Sequence, residues 1–373
     1  MVNDLFIDGI IFGEKIFGGV ARMWEEIIPR LQSRHIPMTL LMPIKNNFPS
    51  VHSLGDHVNI INDYFFWPKR VFDKVGLRSK LLTQFYKASH ARIFHSTYFS
   101  TIESAETLKF VTVYDMIYEI FESPAPSKWA EQVLHNKRKS IENADQIICI
   151  SESTKQDLLK FFPSLNEEKT AVIYPGISIL SRNNLNVSST EISKKYGRQF
   201  SRQGYFLIVG KLDGYKNFQL LVDLLNQNEK ARTLKFVCVG SGKTSKVREI
   251  AFRSYPENFL FIDFVKDEEL AILYRDAIGL IYPSLYEGFG LPVVEAMSNS
   301  CPVACSSSSS LPETGGEAAF YFDPLSTAEL YERLIDLMNC DRDQVTIRGL
   351  AQAQKFSWEN TVSSLESLYR KVL

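Results

Sequence analysis

The sequence predicts an α/β protein made of two doubly wound parallel-sheet domains facing a central cleft. Three observations carry this. Short apolar runs alternate with amphipathic helical stretches along the whole chain, the pattern of strands joined by crossover helices. The 373 residues are long for one core and suit two domains of ordinary size. Between residues 180 and 203 the texture changes: Ser181-Arg-Asn-Asn-Leu-Asn-Val-Ser-Ser-Thr190 is polar and turn-rich, as an interdomain connection would be.

In the first half the runs expected as strands are Leu5–Ile11, Met38–Met42, Ile93–Phe94, Lys109–Val113, Gln146–Ile150 and Thr170–Ile173. In the second half they are Tyr205–Val209, Lys235–Val239, Leu260–Ile262, Ile278–Tyr282 and Pro302–Ser306. Domains are expected at 1–180 and 181–355, with a helical tail over 356–373. Ligands of such sheets bind beyond the carboxyl ends of the strands, so loops from both halves are expected to line one cleft.

Composition narrows the class. A hydrophobic content of 45% with 23% charged residues is that of a soluble globular chain. A net charge of −1 argues against a nucleic-acid partner, which would call for a basic excess. Cys149, Cys238, Cys301, Cys305 and Cys340 have no neighbouring His at zinc-ligand spacing and read as reduced core thiols of a cytoplasmic protein. Leu5-Phe6-Ile7 is followed at once by Asp8, so no signal peptide is expected. No apolar run approaches the length of a membrane span.

The most informative stretch is Tyr286-Glu-Gly-Phe-Gly-Leu-Pro-Val-Val-Glu-Ala296. Ahead of it, Ile278-Gly-Leu-Ile-Tyr-Pro283 reads as a buried strand; behind it, Pro292 suits a helix start. Strand, glycine loop and helix start together leave bare backbone N–H groups and a positive dipole end, which suits a diphosphate. Glu295 is expected in the first helical turn, where a carboxylate can accept from both hydroxyls of a ribose. Glu287 is expected on the loop, facing what lies beyond the phosphates. An acidic first turn of an ordinary helix is the plain alternative for Glu295.

Other stretches suit the same ligand. Ile208-Val-Gly-Lys-Leu-Asp-Gly-Tyr-Lys-Asn217 places Gly210 at a strand end, Lys211 beside it and Lys216 at a helix start, a cation for a diphosphate. Gly18 and Gly19 precede a helical stretch, either as a turn or as a close backbone approach to a ligand. Arg22 could reach a phosphate or lie on the surface. Tyr114 and Asp115 end the Lys109–Val113 strand and are expected to face the cleft, with His95 as another polar contact or a core residue. Gly240-Ser-Gly-Lys-Thr244 lacks the first glycine of a phosphate loop, since Val237 holds that place, and reads as a strand-end turn at a nucleotide base. Asp341-Arg-Asp343 lies between helical stretches and reads as a helix cap at Asp341, so no catalytic metal is expected. Ser306–Ser310 reads as a flexible loop or, running into Leu311-Pro-Glu-Thr-Gly-Gly316, as a lining of the cleft, with Gly315 and Gly316 serving a turn.

Residues 65–92 carry seven Lys or Arg (Lys69, Arg70, Lys74, Arg78, Lys80, Lys87 and Arg92) against the single acid Asp73. Phe65, Phe66, Trp67, Phe72, Phe85 and Tyr86 are interleaved with them. Either a solvated helical face or a peripheral contact with an anionic membrane accounts for this pattern.

The 286–296 stretch closely resembles the Glu-x7-Glu signature of the retaining nucleotide-sugar glycosyltransferases of family 4, whose GT-B fold has two Rossmann-like halves. The resemblance implies that Glu287 lies near the donor sugar, that Glu295 holds the ribose, and that Gly288, Phe289, Gly290 and Leu291 line the donor. Gly18 and Gly19 resemble the family's loop that approaches the donor phosphates. Lys211 and Lys216 resemble its pyrophosphate-holding Arg and Lys, although in the relatives closest to Tyr215-Lys-Asn217 the Arg place falls on Leu212. Tyr114-Asp115 stands where the family usually has His-Asp, the His contacting the donor sugar. The 306–316 stretch resembles a Ser-rich loop near the donor, and Phe356-Ser-Trp358 with its helix resembles a tail that crosses back to the first domain. The implied activity is metal-free and cofactor-free transfer of a hexose, of GDP-mannose type, to a glycan or lipid-linked hydroxyl in surface polysaccharide assembly, at the inner face of the membrane where that acceptor is lipid-linked. A nucleotide-sugar-binding relative without turnover, or a sugar-nucleotide epimerase of the same fold, would share these motifs.

Overall fold

The computed structural model describes residues 4–12, 18–43, 58–63, 77–121, 127–178, 192, 195–196, 201–240 and 245–372. The chain forms two compact units, Met1–Gly176 together with Trp358–Leu373, and Ile177–Ser357. The expected boundaries stood at 180/181 and 355/356.

The first unit holds a seven-stranded parallel sheet of β1 (Leu5–Ile7), β2 (Met38–Pro43), β3 (Val58–Asp63), β4 (Ile93–Ser96), β5 (Leu108–Val113), β6 (Gln146–Cys149) and β7 (Thr170–Val172), in the order β3-β2-β1-β4-β5-β6-β7. The helices are α1 (Gly19–Ser33), α2 (Leu77–Ser89), α3 (Ile117–Ile120), α4 (Lys128–Glu142) and α5 (Glu152–Phe161). β1 is fully buried, and α1 covers the sheet with Met23, Trp24, Ile27, Ile28 and Leu31, one apolar stripe at helical spacing. β1 stops at Ile7, short of the expected Ile11. Gly9 turns the chain at φ +47°, where a side chain would run into the Leu41 carbonyl at 2.3 Å, and Ile10–Phe12 coils into a 3-10 turn. Serine caps start α4 and α5: Ser127 accepts from Ala130 N–H, and Ser151 from Thr154 N–H. The helix Trp358–Val372 belongs to this unit. Arg34 pairs there with Glu359 and, at 2.7 Å, with Glu366.

The second unit is a six-stranded parallel sheet of β8 (Phe206–Val209), β9 (Phe236–Val239), β10 (Phe259–Ile262), β11 (Leu280–Tyr282), β12 (Val303–Ser306) and β13 (Ala319–Phe322), ordered β10-β9-β8-β11-β12-β13. Its helices are α6 (Gln219–Gln227), α7 (Lys246–Ser254), α8 (Asp267–Asp276), α9 (Leu291–Ser298), α10 (Leu311–Gly315), α11 (Thr327–Asn339) and α12 (Arg342–Ala353); the tail helix Trp358–Val372 is α13. Phe206, Ile208, Phe218, Leu221, Phe236, Phe259 and Leu334 are among the residues of its core. Asp341 caps α12 by accepting from Gln344 N–H at 3.2 Å, as expected. The five cysteines are free; four are buried, with thiols pushed up by burial, Cys301 to about 12.

Two strands escaped the sequence reading, β3 and β13, and both are edge strands. Of the basic segment 65–92, residues 65–76 and the Arg78 side chain lie outside the described residues. In the rest, Tyr86 is buried against Phe6 and Phe94, whereas Lys80, Lys87 and Arg92 are exposed. Here the aromatics serve the core and the cations face solvent. No helix among the described residues is long and apolar enough to cross a membrane.

Candidate functional site

In the second unit the strand order reverses between β8 and β11. Connections from two such strands leave toward opposite faces, which opens a crevice beyond their carboxyl ends. The loops on either side are Gly210–Lys216 and Pro283–Gly290, two of the stretches that the sequence singled out.

These loops are fastened to one another. Leu285 N–H donates to the Tyr215 carbonyl at 2.7 Å. The Asn217 amide donates to the carbonyls of Pro283 at 3.1 Å and Pro324 at 2.7 Å. Asn217 takes a left-handed conformation, φ +56°, which closes the 3-10 turn Gly214–Lys216; Lys216 therefore precedes α6 instead of starting it. Asparagine is among the few residues that adopt this backbone readily. The outcome is that Lys216 Nζ lies 2.7 Å from Glu287 Oε1 and 2.9 Å from the Tyr282 hydroxyl. The ammonium also lies 5.2 Å from the ring centroids of Tyr215 and Tyr282. Burial, then the Glu287 charge, pushes the Tyr282 phenol well above its ordinary range, which keeps it neutral.

The glycine loop is built for close approach. Gly290 takes φ +96° at the start of α9, and a side chain there would meet Leu311 Cδ2 at 2.6 Å. Gly288 is buried. Phe289 turns inward, 3% exposed and edge-on to Phe356, so only its backbone can serve a ligand. Leu291 opens α9, which puts Glu295 in the second turn and not in the first as expected. Glu295 is held by Tyr274 on α8, whose hydroxyl lies 3.2 Å from Oε2.

The serine run is not a loose loop. Ser309 Oγ accepts from Glu287 N–H and Ser310 Oγ donates to the Glu287 carbonyl, each at 2.8 Å. Ser306 donates to the Ser284 carbonyl, and Thr314 to that of Phe289. Gly316 makes the expected turn at φ +53°, where a side chain would collide with Gln352 at 2.7 Å.

Gly210 and Gly240 close neighbouring strand ends with positive φ, and Gly210 N–H donates to the Val239 carbonyl at 2.8 Å. Lys211 is exposed and Leu212 is buried in the core, so only Lys211 can meet an anion. Residues 241–244, the rest of the glycine-lysine turn, lie outside the described residues.

In the first unit the structure corrects one expectation. Tyr114 does not face a ligand: it is 4% exposed, its hydroxyl accepts from Trp24 Nε1 at 2.7 Å and donates to the Thr97 carbonyl at 2.6 Å. Both uses of the hydroxyl are internal. Asp115, half-buried, accepts from Ile117 N–H at 3.1 Å, and Lys137 Nζ holds the Asp115 carbonyl at 2.5 Å while pairing with Glu119 at 2.8 Å. His95 is a core residue between Tyr369 and Thr112. Gly18 and Gly19 are exposed at the start of α1, and Arg22 is exposed one turn on.

Asn217 and Tyr274 carry no charge, and reasoning from charges and glycines missed them as site residues; Ser309, Ser310 and Thr314 were read only as part of a candidate lining near the donor, without their contacts to the Glu287 loop. Only Asn217, beside Lys216, and the serine run left a visible trace in the sequence.

Residues 17–179 match the family Glycosyltransferase Family 4, and residues 189–353 match Glycosyl transferases group 1. O-antigen chain mannosyltransferase B of Escherichia coli is 30% identical over 65% of this chain. O-antigen chain mannosyltransferase RfbU of Salmonella typhimurium is 28% identical over 50% of it. The matched segments span 64% and 49% of those relatives' own lengths. Among solved structures, sucrose-phosphate synthase from Thermosynechococcus elongatus superposes with a TM-score of 0.74 at 18% identity, covering 99% of this chain and 98% of that one. HepE of Anabaena in complex with UDP gives 0.71 at 17%, covering 99% and 100%. These neighbours share two parallel-sheet α/β domains of GT-B type with the chain described above. The two sheets, the switch-point loops and the paired family matches together place this chain in glycosyltransferase family 4, and it belongs to the GT-B glycosyltransferases.

Proposed function

We propose that the protein moves a hexose from a nucleoside diphosphate to a hydroxyl of a glycan or lipid-linked acceptor, with retention of configuration. The observation that carries this reading is the meeting of Lys216 and Glu287 at the switch point, beside the glycine loop. A diphosphate placed there finds an ammonium, and a sugar beyond it finds a carboxylate. The acceptor oxygen bonds to the anomeric carbon, the bond from that carbon to the phosphate oxygen breaks, and the acceptor proton leaves with the diphosphate. Charge grows on the departing phosphate, so Lys216, Lys211 and the backbone of Gly288–Gly290 contribute most by stabilising it. That fixed positive charge is our reason for proposing a metal-independent reaction. Glu295, steadied by Tyr274, would hold the ribose. The O-antigen mannosyltransferases among the relatives support a mannose-type donor, which we propose to be GDP-linked, and a role in surface polysaccharide assembly.

The test is a thermal-shift panel with UDP, GDP, dTDP, CDP and ATP, each with Mg²⁺ and with EDTA, followed by turnover of the matching sugar nucleotides. Stabilisation by one diphosphate in EDTA, lost in Glu295→Ala, with turnover of its sugar nucleotide, is the expected result. Binding without turnover would make this chain a nucleotide-sugar-binding relative. A requirement for Mg²⁺ would overturn the metal-independent mechanism.

A further inference from the structure

We infer that Ser309 and Ser310, backed by Thr314, are positioning residues that hold the Glu287 loop in its working conformation; this rests on the transfer reading above. Glu287 has both of its backbone groups occupied by side chains from consecutive residues, the N–H by Ser309 and the carbonyl by Ser310, each at 2.8 Å. The Thr314 hydroxyl is shared between the carbonyls of Phe289 and, at 2.9 Å, Ser310. Ser306 anchors the loop at its start through the Ser284 carbonyl. One segment thus grips the other at residues 284, 287 and 289.

Such a grip has a physical purpose. Gly288 and Gly290 flank Phe289 and give the backbone wide freedom, which would blur the place of the Glu287 carboxylate. Small displacements of a reacting group are costly in rate, so a carboxylate on a glycine loop needs an external brace. The brace is itself firm: Ser306, Ser310 and Thr314 are fully buried, and the Gln352 amide of α12 donates to the Thr314 carbonyl at 3.0 Å. Ser309 adds an independent sign. Its backbone sits at φ +50°, where glycine is at ease and serine is strained. A strained serine at a place made for glycine points to a need for its hydroxyl.

That strain also separates positioning from stability. Ser309→Gly removes the hydroxyl and relieves the backbone, so the fold is kept while the brace is lost. The experiment compares wild type, Ser309→Gly, Ser310→Ala and Ser310→Thr in the full chain. It reads melting temperature, amide hydrogen exchange of residues 284–291, affinity for GDP and UDP, and turnover of GDP-mannose and UDP-glucose. Ser309→Gly and Ser310→Ala are expected to speed loop exchange and lower kcat at least tenfold. Their GDP or UDP affinity should fall much less than kcat, because Glu295, Lys211 and Lys216 lie outside the clasp and only the Gly288–Gly290 backbone is loosened. Ser310→Thr, which keeps the hydroxyl, restores kcat to within threefold of wild type. Unchanged loop exchange, or faster exchange with kcat within twofold of wild type, overturns the inference. A loss of kcat in Ser310→Ala matched by global unfolding, with Ser309→Gly fully active, overturns it too. If wild type turns over no sugar nucleotide at all, the proposed function fails first, and the grip then stands or falls on loop exchange alone.

Discussion

Lys216 and Glu287 form an ion pair across the switch point of the second sheet, Nζ to Oε1 2.7 Å, although 71 positions separate them in sequence. Their side chains are only 18% and 10% exposed, so each needs the other in the free protein. A diphosphate that takes Lys216 as its counter-ion must compete with the carboxylate.

The first prediction follows from that competition. Glu287→Gln keeps an acceptor for Nζ but removes the charge. Affinity for the diphosphate should hold or rise, by up to about tenfold, which is ~1.4 kcal/mol, while transfer falls by at least about a hundredfold. Titration calorimetry with GDP and UDP, run beside a turnover assay, reads both. Weaker nucleotide binding in Glu287→Gln would show that the carboxylate assists diphosphate binding instead of opposing it.

Tyr274 and Glu295 give the second. The Tyr274 hydroxyl, 3.2 Å from Oε2, fixes one oxygen of a carboxylate that has no helix N-terminus to orient it. Tyr274→Phe should weaken nucleotide binding about threefold, a fraction of what a hydrogen bond to a charged group is worth, because the phenol acts only by orienting Glu295. Glu295→Ala should weaken it more than about tenfold, the scale of bonds to a charged group. Circular dichroism should show both folds intact. Unchanged affinity in Glu295→Ala would remove Glu295 from the site.

What the sequence made legible follows burial. Strands buried on both faces, such as β1, β6, β9 and β12, leave continuous apolar runs, and these were found. Of the two missed edge strands, β3 breaks its apolar run with Asn59, Asn62 and Asp63, whereas β13, Ala319-Phe-Tyr-Phe322, is an apolar run that was passed over. The charged members of the site were legible because carboxylates and lysines among glycines are unusual at strand ends. Tyr274 acts through one uncharged hydroxyl and looks like any core tyrosine until its partner Glu295 is seen, and the serine run was legible as a candidate lining but not as a brace on the Glu287 backbone. Tyr114 misled for the opposite reason: its place at a strand end suggested a ligand, and its partners Trp24 and Thr97 come from distant segments.

The third prediction concerns that tyrosine. Tyr114→Phe strips a buried donor and a buried acceptor of their partner, Trp24 Nε1 and the Thr97 carbonyl. Each stranded group costs about 1–3 kcal/mol, so the urea midpoint should fall clearly. Turnover per folded molecule should stay within about twofold of wild type, well under 1 kcal/mol in the barrier. A selective loss of turnover with stability retained would return Tyr114 to the reaction.

The fourth prediction is a pH dependence of the first unit. His95 is fully buried, with Nδ1 2.6 Å from the Tyr369 hydroxyl of α13, Nε2 3.0 Å from Thr112 Oγ1, and its ring edge-on to Trp24 at 4.9 Å. Burial pulls its pKa down to about 3. An unfolded histidine titrates near ~6.5. Below that value the unfolded chain takes up a proton that the folded chain refuses, so stability present above it drains away as pH falls toward the folded value. At pH 5 the loss from this one group is about 2 kcal/mol relative to pH 7.5. Other groups titrate in the same range, so the quantity to read is the difference between wild type and His95→Gln. All four tryptophans, Trp24, Trp67, Trp129 and Trp358, belong to the first unit, so tryptophan fluorescence during urea unfolding reports on it alone. His95→Gln should be less stable than wild type at pH 7.5, having lost well-fitted hydrogen bonds, but should lose less on going to pH 5. Parallel curves for the two proteins would mean that His95 takes up its proton as readily in the folded chain as in the unfolded one, and that burial does not keep the imidazole neutral at pH 5.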